Sequence, residues 1–586
     1  MFLPCTTAEL QHLGWDAPDI ILISGDAYID SPFCGIAVIG RTLAAEGFRV
    51  AVIPQPDTAS LDDIRRLGQP RLFWGVSGGC VDSMVANYTA TGKKRQRDDF
   101  TPGGVNSARP DRAVIAYCNL IRRAFKPCRP IVIGGIEASL RRIAHYDYWS
   151  DSVRRPVLFD AKADVLVYGM GERTVTALAR ALRDGREWHG LRGICYALPA
   201  IADTLPPDAL SLPDYTAVAP ATPDGRAAFL DMYRLFAANQ EPHTARPLLQ
   251  RIDTRCLVHT PPDTPLSSAE LDAVHAWPFM LDAHPIHAPK GKVRALETIR
   301  FSLATHRGCY GECNFCSIAV HQGRQVVSRS ERSILEEARR LTHHPAFTGI
   351  IQDVGGPTAN MYGFECARKM SQGACASKRC LFPACCPALK PDHSAQVALL
   401  KRLSHLPGVR KVFVASGIRP DLIAADTRHG AAYIDELVAH HVSGQLKLAP
   451  EHTDPGVLRA MGKPGHEALL DFVKHFHAAN ARHRLKQFLT YYFIAAHPGC
   501  GETEMRALKH FVTQHLRLSP EQVQIFTPTP STWSTAMYYT GIDPFTGRSI
   551  DVTRGLRAKQ AQKEILVPSL PLRQMKTIPK SGVVFI

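Results

Sequence analysis

The chain has 586 residues, of which 45% are hydrophobic and 21% are charged, and its formal net charge is +15. This length is too great for one hydrophobic core, and this composition excludes a disordered chain, so two or three globular domains are expected. No apolar run approaches the ~20 residues of a spanning helix, and the first residues lack the pattern of a signal peptide, which favours a cytoplasmic location.

The basic surplus bears on binding partners. A chain with 69 basic and 54 acidic residues can attract nucleic acid, an acidic protein or an anionic substrate. However, the longest basic cluster, KKRQR at 93–97, is short and is followed by Asp98 and Asp99. A solvated surface excess explains the charge as well as RNA binding does.

The first 197 residues alternate short apolar runs with helical patterns. Such runs are typical of strands buried on both faces of a parallel sheet. They lie at 19–25, 48–53, 71–77, 130–135 and 164–169. Helical periodicity at 35–47 and at 172–185 ends in glycine each time. The alternation predicts a doubly wound α/β domain over 1–197.

A ligand crevice of such a domain lies at the carboxyl ends of its strands. The residues expected there are Gly25, Asp26, Ser77, Gly78, Gly79 and Gly134 to Glu137. Their glycines favour either a bound ligand or tight turns.

Residues 198–297 are rich in Pro, Asp and Ser and have few long apolar runs. This composition predicts a linker, with helix near 226–239, between the first domain and a second one.

The second domain is predicted over 298–535, followed by a C-terminal strap and tail over 536–586. Its apolar runs predict strands at 300–305, 347–354, 409–417, 445–450, 486–495 and 523–530. Helical patterns lie between them at 330–342, 393–405, 430–441, 465–479 and 501–517. Six βα units predict a partial (β/α)6 barrel, in which the chemistry sits at the carboxyl ends of the strands.

Three cysteines follow the first of these strands closely. Cys309, Cys313 and Cys316, the thiol trio, have the spacing C-x3-C-x2-C, with glycine at 308 and 311. Soft thiolates select zinc or an iron–sulfur cluster, and three ligands on a four-iron cluster leave one iron open for a substrate or cofactor. His306 could complete a Cys3His zinc site, but all four ligands would then crowd into eleven residues. The spacing favours the open cluster.

These residues carry a resemblance to the radical S-adenosylmethionine (SAM) superfamily. Its signature, C-x3-C-x-aromatic-C, is similar to Cys309, Cys313, Phe315 and Cys316 here. DVGGPTAN at 353–360 and VASGIRPD at 414–421 resemble its later landmarks. Longer stretches resemble the YgiQ family of radical SAM proteins over nearly the whole chain. They include GDAYIDSP, THRGCYGECNFCSIAVHQGR and LKLAPEHTDPGVLRAMGKPG.

The resemblance implies a radical SAM enzyme whose trio binds a 4Fe–4S cluster and which cleaves SAM, with no substrate implied. It implies that Phe315 packs beside the adenine and that Gly355 and Gly356 contact the SAM amino group through their backbone, since Pro357 replaces the usual acidic residue. It also implies that Ser416 and Arg419 contact the ribose.

The first domain resembles the cobalamin-binding fold that precedes some radical SAM barrels. That resemblance implies cobalamin only weakly, because the turn GDAYIDSP at 25–32 has no histidine to bind cobalt. A domain used for substrate or partner binding is expected instead.

A second group of cysteines lies in the loop 366–386, and cytosolic thiols at this density favour a metal. The ligands expected are Cys366, Cys375, Cys380 and Cys386, since the family's Cys-Pro pair sets Cys385 aside. They could hold a second iron–sulfur cluster or a zinc ion. A structural zinc loop and free thiols are the alternatives.

The sequence leaves three functions open. The chain could modify RNA in the manner of methylthiotransferases, act on a small molecule or lipid, or sense redox state without catalysis. The complete set of SAM landmarks argues against the sensor. The basic charge is also compatible with an acidic, flavodoxin-like electron donor.

Overall fold

A computed structural model describes residues 1–200, 205–517, 520 and 523–567. The chain divides into two units. The first contains residues 1–266, 273–300 and 529–531, and the second contains the described residues within 267–272, 301–528 and 532–586.

The first unit is built on a nine-stranded sheet. The strands of this unit are β1 Ile20–Ser24, β2 Ile29–Asp30, β3 Val50–Pro54, β4 Phe73–Ser77, β5 Ile131–Gly134, β6 His145–Asp147, β7 Ser152–Arg154, β8 Val165–Val167, β9 Ile194–Pro199, β10 Leu210–Ser211, β11 Leu248–Ile252, β12 Arg255–His259 and β13 Asp282–Ala283. The sheet order is β10-β11-β12-β9-β8-β5-β4-β1-β3.

Its parallel part is the predicted doubly wound core. Strands β3, β1, β4, β5 and β8 pair in parallel, which is the order 2-1-3-4-5 along the chain. Every residue of β1 and β3 is buried, as the continuous apolar runs predict. The switch point, where ligands of such sheets usually bind, lies between β1 and β4.

Helices connect these strands. They are α1 Thr7–His12, α2 Gly35–Ala45, α3 Asp62–Arg65, α4 Ser83–Asn87, α5 Ala113–Ala124, α6 Gly135–Leu140, α7 Val157–Asp160, α8 Glu172–Asp184, α9 Tyr215–Val218, α10 Pro223–Ala238, α11 Ser268–Ala276 and α12 Leu296–Ile299. Helices α2 and α8 correspond to the two predicted ones. Helix α8 ends at Gly185, whose φ of +63° is the left-handed cap that glycine favours.

The segment 198–297 differs from the predicted linker. Strand β9 pairs antiparallel with β8, and the hairpin of β11 and β12 extends the same sheet. Leu248, Leu257 and Val258 are fully buried in it. The strands are only five residues long and lie among prolines, so the composition of the segment conceals them. The helix predicted near 226–239 is α10.

The second unit has a run of parallel strands. Its strands are β14 Ser302–Ala304, β15 His306–Arg307, β16 Val327–Ser328, β17 Ile350–Ile351, β18 Asp353–Gly355, β19 Lys411–Val412, β20 Gln445–Glu451, β21 Phe488–Ala495 and β22 Val523–Ile525. Parallel pairs join β14 to β18, β17 to β19, β20 to β21 and β21 to β22. A parallel bridge from Ile418 to Leu448 joins the third strand position to the fourth. This arrangement confirms the predicted six-stranded partial barrel.

The helices of this unit follow the strands. They are α13 Ile318–Gln322, α14 Glu331–Thr342, α15 Ala367–Gln372, α16 Ser394–Ser404, α17 Pro420–Ala425, α18 Gly430–Glu436, α19 Pro455–Met461, α20 Glu467–Arg482, α21 Glu502–Phe511, α22 Trp533–Thr540 and α23 Leu556–Leu566. Among the described residues, no helix is both long and apolar enough to cross a membrane. Of the predicted strap and tail, residues 568–586 lie outside the described residues.

Helix α23 is held to the barrel by an amide side chain. The Gln562 Oε1 accepts a hydrogen bond from the Ala496 backbone at 2.9 Å, and its Nε2 donates to the Cys500 carbonyl at 3.1 Å. Both partners lie just after β21. The end of the described chain therefore belongs to the barrel unit.

Candidate functional site

The thiol trio lies on a loop whose base is closed by a short ladder. Strand β15 follows β14 and pairs antiparallel with β16, so that residues 308–326 form the loop. Inside it, the Cys309 backbone donates to the Gly323 carbonyl at 3.2 Å, and the Cys316 backbone donates to the Cys313 carbonyl at 3.0 Å. The fold thus places three thiols on one loop after the first barrel strand, as the sequence predicts.

Burial and mutual proximity act on these thiols. All three are half-buried. Burial and the neighbouring Cys313 raise the pKa of both Cys309 and Cys316. Thiols in this environment ionise together only if a cation compensates them, and bound iron supplies such a charge. The donor set therefore fits an iron–sulfur cluster.

The trio does not have the geometry of a single-ion site. In the part of the chain that the structure describes, no three His, Cys, Asp or Glu side chains are arranged to hold one metal ion. A single zinc needs its ligands around one point, whereas the thiolates of a four-iron cluster bind separate irons and stand farther apart. The choice between the cluster and the Cys3His zinc alternative stays a prediction.

Arg419 lies against the trio. Its Nη1 is 3.6 Å from the Cys313 Sγ, and its Nε and Nη2 donate to the Asp421 carboxylate at 3.0 and 2.7 Å. A Cβ on Gly311 would come within 2.7 Å of the guanidinium, so glycine at 311 lets Arg419 approach. The sequence predicts Arg419 as a ribose contact, and its place beside a thiol was missed because it depends on tertiary packing.

The two glycines predicted to contact SAM each allow a close approach within the protein. A Cβ on Gly356 would lie 2.6 Å from the His306 ring, and one on Gly355 would lie 3.1 Å from the Ser416 Oγ. These contacts place three parts of the barrel next to one another: His306 at the start of β15, the glycines at the end of β18, and Ser416 in the chain after β19. The predicted SAM contacts Gly355, Gly356 and Ser416 are therefore neighbours.

Asp353 orients Ser416. The Ser416 hydroxyl donates to the Asp353 carboxylate, which also accepts from the backbone N–H groups of Ala415 at 2.7 Å and Ser416 at 3.0 Å. Burial raises the pKa of Asp353, and these hydrogen bonds oppose that rise. Because the hydroxyl proton of Ser416 is donated to Asp353, the Ser416 oxygen can act only as an acceptor towards a further partner. The sequence signal for Asp353 is an acidic residue inside an apolar strand.

Phe315 is half-buried between two trio cysteines. Its ring meets the His497 ring edge-on, with centroids 6.2 Å apart. His497 is buried, and its Nε2 is 2.7 Å from the Ser534 Oγ. The structure thus fixes one side of Phe315, and its predicted contact with adenine stays a prediction.

Glu451 was missed by the sequence reasoning. It ends β20, where the register shifts, and its φ of +67° is strained for a residue with a side chain. Its Oε1 is 3.9 Å from the Lys463 Nζ. Burial raises its pKa to about 7, and the charges of Lys463 and Arg419 oppose the rise. Glu451 is thus a half-buried carboxyl at the end of a barrel strand, on a strained backbone and near the Lys463 ammonium group.

At the switch point of the first unit, charged side chains of the protein form ion pairs with one another. Buried Arg109 forms ion pairs with Asp26 at 2.6 Å and with Asp98 at 2.9 Å, and its Nη1 donates to the Gly78 carbonyl at 2.8 Å. A Cβ on Gly79 would lie 2.3 Å from the Asp26 carboxylate. Gly79 is thus required by packing against the ion-pair network, and a ligand role for the expected crevice residues stays a prediction.

Comparison with known proteins agrees with this architecture. The family model described as Radical SAM N-terminal matches residues 2–302, the Radical SAM superfamily model matches 303–512, and a domain of unknown function (DUF3362) matches 521–567. A UPF0313 protein of Fusobacterium nucleatum is 51% identical, covering 96% of this chain and 98% of that protein. The chain belongs to the UPF0313 family of radical SAM proteins, which is the YgiQ family.

Other UPF0313 relatives extend the match. The protein of Thermotoga maritima is 48% identical over 96% of this chain and 98% of its own length. That of Geobacter sulfurreducens is 45% identical over 98% of this chain and 94% of its own length. The whole described architecture is therefore shared within the UPF0313 family.

One solved structure shows the same fold at low identity. It is the radical SAM methyltransferase TsrM of Kitasatospora setae with cobalamin and a 4Fe–4S cluster bound. The TM-score is 0.51 at 15% identity, covering 89% of this chain and 77% of TsrM. This likeness supports the fold of the UPF0313 chain: an α/β domain followed by a radical SAM barrel.

Proposed function

We propose that this UPF0313 protein is a radical SAM enzyme whose thiol trio holds a 4Fe–4S cluster and which cleaves SAM reductively. The observation that carries the proposal is the trio itself: three half-buried thiols on one loop after the first barrel strand, with Arg419 3.6 Å from one of them. When bound and reduced, the cluster supplies the electron that splits SAM into methionine and a 5′-deoxyadenosyl radical, which abstracts a hydrogen atom from the substrate.

The chain's own residues bind and orient the cofactor in this proposal. The backbone at Gly355 and Gly356 contacts the amino group of SAM. Ser416, held by Asp353, accepts a hydrogen bond from a ribose hydroxyl, and Phe315 packs beside the adenine. The Arg419 guanidinium partly compensates the charge of the thiolates, and its ion pair with Asp421 holds it in place.

The test measures 5′-deoxyadenosine after anaerobic reconstitution with iron and sulfide and reduction with dithionite. Each trio cysteine is replaced by alanine in turn, with Cys128→Ala in the first unit as the matched control. We expect loss of 5′-deoxyadenosine in the three trio variants and no change in the control. Undiminished product in all three variants would refute the assignment.

Metal analysis of the same samples separates the alternatives. One zinc and no iron per chain would identify the trio as a zinc site. A full cluster that binds SAM but yields no 5′-deoxyadenosine would favour the non-catalytic redox sensor. The substrate class, whether RNA, a small molecule or a lipid, and the acidic electron donor stay predictions.

A further inference from the structure

Three cysteines outside the trio converge on the core that supports it. Cys366, Cys380 and Cys385 are half-buried and pack against the same buried apolar cluster as Cys309. That cluster consists of Tyr310, Val326, Met361, Leu381, Leu389 and Leu422. Cys366, Cys380 and Cys385 are 57, 71 and 76 residues from Cys309 in sequence, yet all pack against the apolar cluster that Cys309 contacts.

The backbone of the loop draws two of these thiols together. The Cys386 N–H donates to the Cys380 carbonyl at 2.8 Å, which closes a turn between Cys380 and Cys385. The Tyr310 ring, next to Cys309 in the chain, belongs to the apolar cluster that Cys380 and Cys385 contact. Both loop thiols thus lie close to the ring that borders the trio.

A buried cation accompanies this group. The Lys369 Nζ is 3.0 Å from the Glu365 Oε1, donates to the Arg324 carbonyl at 3.1 Å and lies 5.0 Å from the centroid of the Tyr310 ring. Lys369 also contacts the thiol of Cys380. An ammonium group beside a thiol stabilises its thiolate, the form that binds metal.

Cys375 is set apart from this group. Its thiol accepts a hydrogen bond from the exposed side chain of Arg368 at 3.5 Å. It does not belong to the apolar cluster that Cys366, Cys380 and Cys385 contact. Cys386 is not among the residues packed against that cluster either, so the proposed set has Cys385 in place of both Cys375 and Cys386 of the set expected from the sequence.

We propose that Cys366, Cys380 and Cys385 bind a second iron–sulfur cluster. Thiolates select zinc or iron–sulfur clusters among metals. A closed structural zinc site needs four ligands, whereas this group offers three thiols, the same number as the trio. Thiolates on separate irons of a cluster have no such requirement. The proposal is independent of whether the first cluster cleaves SAM.

The test begins with a variant in which alanine replaces all three trio cysteines. After anaerobic reconstitution, this variant should retain about four iron atoms per chain, against about eight in the unaltered protein. Adding Cys380→Ala and Cys385→Ala should remove the remaining iron and its electron paramagnetic resonance signal. Adding Cys375→Ala instead should leave the iron unchanged, and this is the matched control.

A second arm keeps the trio intact, in case the trio variant fails to fold. In that arm, Cys380→Ala with Cys385→Ala should halve the iron from about eight to about four atoms. An iron content of about four in the unaltered protein, or one zinc bound by the loop thiols, would overturn the proposal. Loss of iron in the Cys375→Ala control would overturn the ligand assignment.

Discussion

The most direct test of the trio loop is the substitution Gly308→Ala. Gly308 immediately precedes Cys309 and has a φ of +84°. A Cβ at this position would lie 1.9 Å from the Gln325 carbonyl oxygen and 2.9 Å from its carbon. The obstacle is backbone at the other end of the loop, so no side-chain rotation can relieve it.

The size of the effect follows from two costs. A residue with a side chain in a sparsely populated backbone region costs about 1–3 kcal/mol. Real Cβ atoms essentially never approach heavy atoms within 3.0 Å, so the two ends of the loop must also separate by about 1 Å. Metal sites tolerate ligand displacements of only about 0.2 Å. We therefore expect the variant to lose most of the iron of the trio.

The matched control is Gly323→Ala in the same loop. Gly323 has a φ of +95°, but a Cβ there would meet nothing within 4 Å. Both variants carry backbone strain and only Gly308→Ala carries the overlap. Iron content and visible absorbance after reconstitution, with thermal unfolding of each protein, measure the difference. Equal iron in the two variants would refute the reasoning that Gly308 is required by its contact with Gln325.

Two further predictions concern the first unit. Arg109→Leu leaves the carboxylates of Asp26 and Asp98 buried without their cation. We therefore expect the free energy of unfolding to fall by about 3–5 kcal/mol. An unchanged midpoint of urea unfolding would contradict this. Burial lowers the pKa of His287 from 6.5 to about 4, and its Nε2 accepts the Tyr28 N–H at 2.9 Å. The unfolded chain therefore binds the proton first, and about 3 kcal/mol of stability present above pH 6.5 is lost as the pH falls towards 4. His287→Asn should flatten this pH dependence in urea unfolding, and parallel curves for the two proteins would disprove it.

The fold was largely predictable from local pattern. Runs such as 19–25 and 48–53 are continuous and apolar because their strands are buried on both faces, and the structure has β1 and β3 there. The hairpin of β11 and β12 was not predictable in the same way. Its partner strand, β9, is about sixty residues away from β12 in sequence, so its pairing is decided by tertiary contacts rather than by composition.

For the candidate site, the sequence predicts the three cysteines of the trio but not the side chains that surround them. The spacing of the trio predicts one loop that carries three thiols, and the structure has Cys309, Cys313 and Cys316 on one loop. The contact of Arg419 with Cys313 joins residues 106 positions apart, and the strain at Glu451 is a property of the backbone. A single sequence records neither, because neither changes the pattern of apolar and polar residues.

Helix α23 bears on how this chain can evolve. The family models divide the sequence between 512 and 521, yet Gln562 on one side completes the hydrogen bonds of Ala496 and Cys500 on the other. The Lys559 side chain is also fully buried, and its Nζ donates to the Tyr538 hydroxyl at 2.9 Å. The C-terminal segment is thus not a module that recombination could exchange freely among radical SAM barrels. A barrel that lost it would leave the Ala496 N–H and the Cys500 carbonyl without these partners, so the two parts are expected to be inherited together.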